Sequence, residues 1–313
     1  MLTGSRQAGV ALAVALVIGA AAPAAAAQAP AASVGAVPVL AGAIDIHVHS
    51  DPDSVARSID ALDVARLSRE RGLRGIVLKN HYDATAGLAF LARTVAPGLE
   101  AFGGIALNRS VGGVNPAAVQ HMTEVSGGWG RIVWMPTFDA EHHVRSQNED
   151  RPFVSVSRDG ALLPAVIDVI RLIAEHGLVL ATGHSAPEES LMLLREARRQ
   201  GVRQMVVTHP MQMFVGMSVA QMQAAAREGA LLEFVGGNVG GTGAAATLDA
   251  YAAAIREIGP EFCILSSDLG QRGNPLPPDG FAAFLIALRD RGFDDEAIDL
   301  MARRNPARLL GLR

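Results

Sequence analysis

Eight short aliphatic runs limit what this chain can fold into. They occupy residues 43–49, 75–81, 101–108, 131–137, 178–184, 204–209, 231–236 and 262–268. Each is nearly continuous in Val, Ile, Leu, Ala and Met, as expected of parallel strands covered on both faces. The segments between them carry helical patterns. Residues 58–71 and 163–176 repeat apolar positions at spacings of three and four. Ser185-Ala-Pro-Glu188 and Ser218-Val-Ala-Gln221 read as capping boxes, and Asn115-Pro116 as a cap followed by a first-turn proline. Gly72, Gly177, Gly201, Gly229 and Gly259 stand where helices would end. Eight strand–helix units predict an α/β fold, a single-domain (β/α)8 TIM barrel, which takes about 250 residues. A doubly wound open sheet would not need eight evenly spaced units. No GxGxxG follows the first run, and neither GxxxxGKS nor GxxxxGKT occurs, so nucleotide binding by those routes is unsupported.

The ends of the chain have a different character. Residues 1–27 read as a secretory signal peptide: Arg6, an uncharged small-apolar run from Ala8 to Ala22, then Ala25-Ala26-Ala27 before Gln28. They predict an exported protein, periplasmic or secreted. Residues 28–39 are rich in Ala, Pro and small side chains and read as a flexible linker. Residues 40–313 are then the barrel. The net charge of −4 and the scarcity of aromatic residues, 4%, argue against a nucleic-acid or anionic-membrane partner. Cys263 is the only cysteine, so no intrachain disulfide can form. Lys79 is the only lysine among 27 Lys and Arg residues. Where arginine serves every surface role, a retained amine points to chemistry that guanidinium cannot do.

A barrel places its function at the C-terminal ends of its strands. Those ends hold metal-ligand residue types. The first run ends in His47 and His49, the second in Lys79 and His81, the fifth in His184, the sixth in His209 and the eighth in Asp268. Of nine histidines, five fall at these positions, which chance placement does not explain. In the first run, alternation places Asp45, His47 and His49 on one face and Ile44, Ile46 and Val48 on the other, packing outward under helices. Neutral imidazole and carboxylate suit Zn²⁺, and also Mn²⁺, Fe²⁺ or Co²⁺. Three connections stand out. Residues 138–162 hold His142, His143, Arg145 and an Arg158-Asp-Gly160 turn, a pattern for a hairpin over the barrel mouth. In residues 211–217, Phe214 and Val215 are placed to line a pocket. The glycine-rich residues 236–243 permit close backbone approach to a ligand.

The ordered set His-x-His, His, His, Asp on strands 1, 5, 6 and 8 resembles the amidohydrolase superfamily of metal-dependent TIM-barrel hydrolases. The closing Asn305-Pro-Ala-Arg-Leu-Leu-Gly-Leu312 resembles a tail common in its members. The resemblance implies one or two divalent ions, zinc first. His47, His49 and Asp268 would bind one metal; His184 and His209 would bind a second, or one of them would complete a mononuclear site. Asp268 would take a proton from the attacking water. Many binuclear members carry a carboxylated lysine at the end of strand 4. Here that place reads Trp134-Met-Pro-Thr137, and Lys79 stands on strand 2 instead. Lys79 is therefore expected either to bridge metals as a carboxylated ligand or to remain an amine that polarises a substrate carbonyl or binds an anionic group. His81 is a further ligand or a substrate contact, and His142, His143 and Arg145 are candidates for gripping the substrate. The expected reaction is hydrolysis of an amide, cyclic amide, ester or lactone bond in a small molecule. Asp45-Ile-His-Val-His-Ser50 also resembles the first motif of phosphoesterases of the polymerase-and-histidinol-phosphatase type, which prefer seven strands. Decarboxylation and a non-enzymatic metal- or ligand-binding role are further alternatives. A homo-oligomer is compatible with the composition.

Overall fold

The computed structural model describes Met1, residues 35–237 and residues 244–313. The expected signal peptide, residues 28–34 of the expected linker and residues 238–243 of the glycine-rich loop lie outside the described residues. The compact unit runs Val34–Arg313. Its eight strands are β1 (Ile44–Val48), β2 (Gly75–Leu78), β3 (Glu100–Ala106), β4 (Gly130–Trp134), β5 (Val179–Ala181), β6 (Gln204–Val207), β7 (Leu231–Val235) and β8 (Cys263–Ser266). They follow one another around one sheet in sequence order, every neighbouring pair parallel. The sheet closes between β1 and the end of β8. His49 donates its amide to the Leu269 carbonyl, 2.8 Å, and Asp268 donates its amide to the His47 carbonyl, 2.9 Å. The expected (β/α)8 barrel is the fold observed.

Apolar side chains divide into two bodies. The larger lies between the strands and the surrounding helices, and includes Val64, Val169, Leu193, Met222, Ile255 and Phe284. The smaller draws on all eight strands and therefore fills the barrel itself: Ile44, Ile46, Val77, Phe102, Ile132, Trp134, Val179, Val206, Leu231 and Ile264 among them. Leu309 and Leu310 of the closing helix Asn305–Leu310 pack into it. Asn305 fixes that helix by donating its side-chain amide to the carbonyls of Pro260, 3.0 Å, and Cys263, 2.7 Å. This interior layer corrects one expectation. Ile44 and Ile46 pack inside the barrel, not outward under helices; Val48 alone of the three joins the helix side. The β1–β2 ladder shifts register between Asp45 and Val48, and that irregularity breaks the alternation.

The helix signals hold in most places. Ser218 and Gln221 form the reciprocal capping box, and Asn115 caps the amides of Ala117 and Ala118. The Ser185 box moves by one residue: helix Pro187–Arg199 is capped at Ala186, whose amide donates to Glu189, not Glu188. Proline at the first helical position sets this frame. Residues 37–40 already belong to the barrel. Val37 donates its amide to the Arg71 carbonyl, and Val39 and Leu40 of the short turn Pro38–Leu40 are buried. The long connection after β4 forms helix Glu141–Ser146 and a two-stranded hairpin of Ser157–Arg158 with Ala161–Leu162. Among the described residues, no helix is long and apolar enough to cross a membrane.

Gly183 carries β5 into the site. Its φ is +60°, and a Cβ there would stand 2.2 Å from the Met135 carbonyl oxygen. Overpacking of this kind typically costs about 1–3 kcal/mol, before the cost of a left-handed backbone is added. Gly183→Ala should therefore lower the thermal midpoint by several degrees, read by calorimetry, and displace His184 beside it.

Candidate metal centre

The strand ends bring five imidazoles into a closed circuit. Ring centroids are 5.1 Å apart for His47 and His49, 5.0 Å for His49 and His81, and 6.3 Å for His81 and His184. His184 and His209 follow at 5.0 Å, and His209 returns to His47 at 5.7 Å. All five are buried. Lys79, also fully buried, sends its amine to within 2.9 Å of His47 Nε2, with the Trp134 ring 5.4 Å from it. Asp268 Oδ1 lies 3.1 Å from His47 Nε2 and 3.0 Å from His49 Nε2. Its side chain is 22% exposed, the most open of this group.

Glu233 is the residue that the sequence reading missed. It stands on β7, fully buried, and accepts from three strands: His47 Nδ1 at 3.1 Å, the His209 amide at 3.2 Å and the Ser266 hydroxyl at 2.9 Å. The signal was available, since Glu233 is the one charge in the run Leu231–Val235. A carboxylate on Nδ1 holds the proton there and leaves Nε2 with a lone pair, the arrangement that orients metal-binding histidines. His47 therefore presents an acceptor to the Asp268 oxygen. Two acceptors facing each other at 3.1 Å repel unless a cation lies beside them, and either the Lys79 amine, 2.9 Å from Nε2, or a bound metal meets that need. His47, His49 and Asp268 each offer one ligand atom, and these atoms lie within 4.8 Å of one another. The donor set fits a divalent metal. Buried nitrogens without partners among the described residues, Nδ1 of His49, Nε2 of His184 and Nδ1 of His209, add further ligand capacity around it.

The electrostatics agree with a ligand set. Burial pushes His49 and His209 down to about 4, and His81 and His184 well below their ordinary value. They stand as neutral imidazoles at neutral pH, the form a metal needs. Desolvation works against the Asp268 carboxylate, but His47, the bond from His49 and His209 outweigh it and hold the group well below the usual range. Glu233 behaves likewise: burial would raise it, and His47, His209 and Lys79 bring it below its ordinary value. Burial lowers the Lys79 amine to about 8. Two of these residues sit on left-handed backbone, His209 at φ +27° and Asp268 at φ +51°. Strain of this kind concentrates at functional sites. Asp45 belongs to the wall, not the ligand set. Its Oδ1 accepts the amides of His47 and Ser267 and ties β1 to β8.

The other expected contacts divide. His143 reaches the cluster: its Nδ1 lies 3.0 Å from His184 Nδ1. Phe138 and Phe214 cover the same histidines, Phe138 at 4.0 Å from His81 and Phe214 at 4.5 Å from His184. Arg145 does not reach it. Arg145 is exposed, pairs with Glu141 one helical turn away and lies over the Phe153 ring. His142 is half-buried and has no hydrogen bond or ring contact among the described residues. The helix Glu141–Ser146 turns one face to the barrel, so adjacent histidines cannot both enter it.

Solved structures share this fold. An amidohydrolase from Pseudomonas aeruginosa superposes with a TM-score of 0.62 at 11% identity, covering 87% of this chain and 96% of that one. A mutant of the PTE-like lactonase of Deinococcus radiodurans gives 0.57 at 19%, covering 89% and 99%. A probable 2-pyrone-4,6-dicarboxylic acid hydrolase from Acinetobacter baumannii, with citric acid bound, gives 0.58 at 14%, covering 87% and 100%. At these identities the likeness is one of fold, and it is the fold that the resemblance to the amidohydrolase superfamily implies. No curated protein matches the chain by sequence. One family model does, the family of unknown function DUF6282, over residues 42–233, from just before His47 to Glu233. The chain belongs to that family.

Proposed function

We propose that the chain is a metal-dependent hydrolase that adds water to an ester, lactone, amide or cyclic amide bond of a small molecule. One observation carries this reading: His47, His49 and Asp268 offer three ligand atoms within 4.8 Å of one another, with His47 turned by Glu233 so that Nε2 carries its lone pair toward Asp268 and the Lys79 amine. Zinc suits the nitrogen–oxygen set, and manganese, iron or cobalt are compatible with it. A divalent cation held there would supply the acidity that makes water nucleophilic at neutral pH. The chain's own groups do the rest. Asp268, the most open of the set, accepts the water's proton and returns it to the leaving group. Phe138 and Phe214 keep bulk water from the histidines they cover. The lactonase and the amidohydrolase that share the fold keep both ester and amide bonds within the proposal. We also read the protein as exported, on the strength of residues 1–27; N-terminal sequencing of the mature protein should begin at Gln28.

The metal and its role are tested together. The purified protein should hold one or two equivalents of zinc by elemental analysis, and chelation should remove its turnover of 4-nitrophenyl acetate or γ-butyrolactone. Asp268→Asn should lower turnover by at least about 100-fold, the usual weight of a general base. Lys79→Arg separates the two roles of the lone lysine. Lost metal marks a ligand, lost turnover with metal retained marks a substrate contact, and full metal with full activity excludes both.

Acid should weaken the metal-free protein. His49 and His209 hold proton affinities near 4 in the fold against an ordinary 6.5. The unfolded chain then binds more protons below pH 6.5, and stability falls as pH drops from 6.5 toward 4. The thermal midpoint of metal-free protein should decline across that window, and less steeply with zinc bound.

A further inference from the structure

We infer that His81 is a hydrogen-bond donor to the substrate's acyl oxygen and not a metal ligand. The argument is a chain of obligations that starts at Asn108. Its Oδ1 accepts the amides of Thr137, 2.9 Å, and Asp139, 3.1 Å, and its side-chain amide donates to the His81 carbonyl, 2.7 Å. These three bonds fix which end of the amide is oxygen. The same nitrogen lies 2.7 Å from Thr137 Oγ1 and must donate to it. Thr137 is fully buried, and among the described residues its hydroxyl has one other neighbour in bonding range, His81 Nδ1 at 2.9 Å. If Nδ1 carried the proton, the threonine hydrogen would have no acceptor in a sealed site, a cost that folded proteins avoid. Thr137 therefore donates to Nδ1, and the imidazole proton sits on Nε2.

The consequence is a division of labour between two histidines of one circuit. Glu233 leaves His47 Nε2 with a lone pair, so it binds a cation. Thr137 leaves His81 Nε2 with a hydrogen, so it cannot. His81 lies 5.0 Å from His49, ring to ring, which sets an N–H donor beside the ligand set. An N–H fixed in a dry site beside the reacting carbonyl stabilises the negative charge that develops on oxygen, and needs no rearrangement to do so. His81 neither gains nor loses a proton in this role. Thr137 and Asn108 are positioning residues that act through it. The acyl acceptor rests on the hydrolase reading above; the tautomer does not.

The test uses the protein from Gln28 onward and has two independent readouts. In metal-free protein labelled with ¹⁵N-histidine, long-range proton–nitrogen spectra should show His81 as the Nε2–H form. Thr137→Val should mix or invert that form, and Thr137→Ser should restore it. His81→Gln should keep the zinc content and zinc affinity of the parent while kcat/KM for 4-nitrophenyl acetate falls by about 100- to 1000-fold. An Nδ1–H form in the parent, lost zinc in His81→Gln, or undiminished kcat/KM in that variant each overturn the inference. If His81→Gln fails to fold, the parent spectrum and the Thr137 pair decide alone. A parent that binds zinc and turns over no acyl substrate sinks the hydrolase reading, while the spectrum and the zinc content still tell donor from ligand.

Discussion

The site depends on removing five imidazoles, an amine and the Glu233 carboxylate from water together, with Asp268 left partly open. Desolvation is the largest influence on His49, His81, His184 and His209, and it acts against charge in each. A group that cannot ionise must still place its lone pairs and hydrogens. The structure does this with fixed partners: Glu233 on His47, Thr137 on His81, His143 on His184, Asp268 on His49. Those partners decide which nitrogen is a ligand and which is a donor. An isolated buried charge is costly, so Asp268 and Glu233 persist as carboxylates only because the histidines and Lys79 surround them.

The barrel provides the rigidity that such an arrangement needs. Beneath the circuit lies a packed interior layer contributed by every strand, with Trp134 under Lys79 and the closing helix sealing the far end. A floor of this kind holds the strand ends to fixed positions, since close-packed interiors do not deform continuously. The barrel's closure falls at the site too. The bonds that join β1 to β8 involve His47, His49 and Asp268 themselves, and Asp45 adds one more by accepting the Ser267 amide at its side chain. Fold closure and ligand placement are therefore one set of contacts. The left-handed backbone is held at Asp268 by the bond of its amide to the His47 carbonyl, and at His209 by the bond of its amide to Glu233.

Some of this was legible in the chain and some was not. The eight aliphatic runs coincide with the eight strands, because parallel strands covered on both faces have little choice of composition. The ligand-type residues at their ends coincide with the circuit, because the barrel gathers those ends at one mouth. The alternation of the first run misplaced Ile44 and Ile46, because a shift in register is a matter between strands and leaves no mark in one of them. Arg145 looked like a substrate contact and is a surface residue, because the helix that carries it turns His143 inward instead.

The barrel, the helix caps at Asn115 and Ser218, and the identity of the buried histidines, lysine and aspartate are written in the chain. These follow from periodicity and composition, which are local. What each histidine offers depends on the folded molecule. Glu233 lies 186 residues from His47, and Thr137 lies 56 from His81. Whether an imidazole nitrogen bears a lone pair or a hydrogen is set by the atom opposite it, and no local pattern records which atom the fold will bring there.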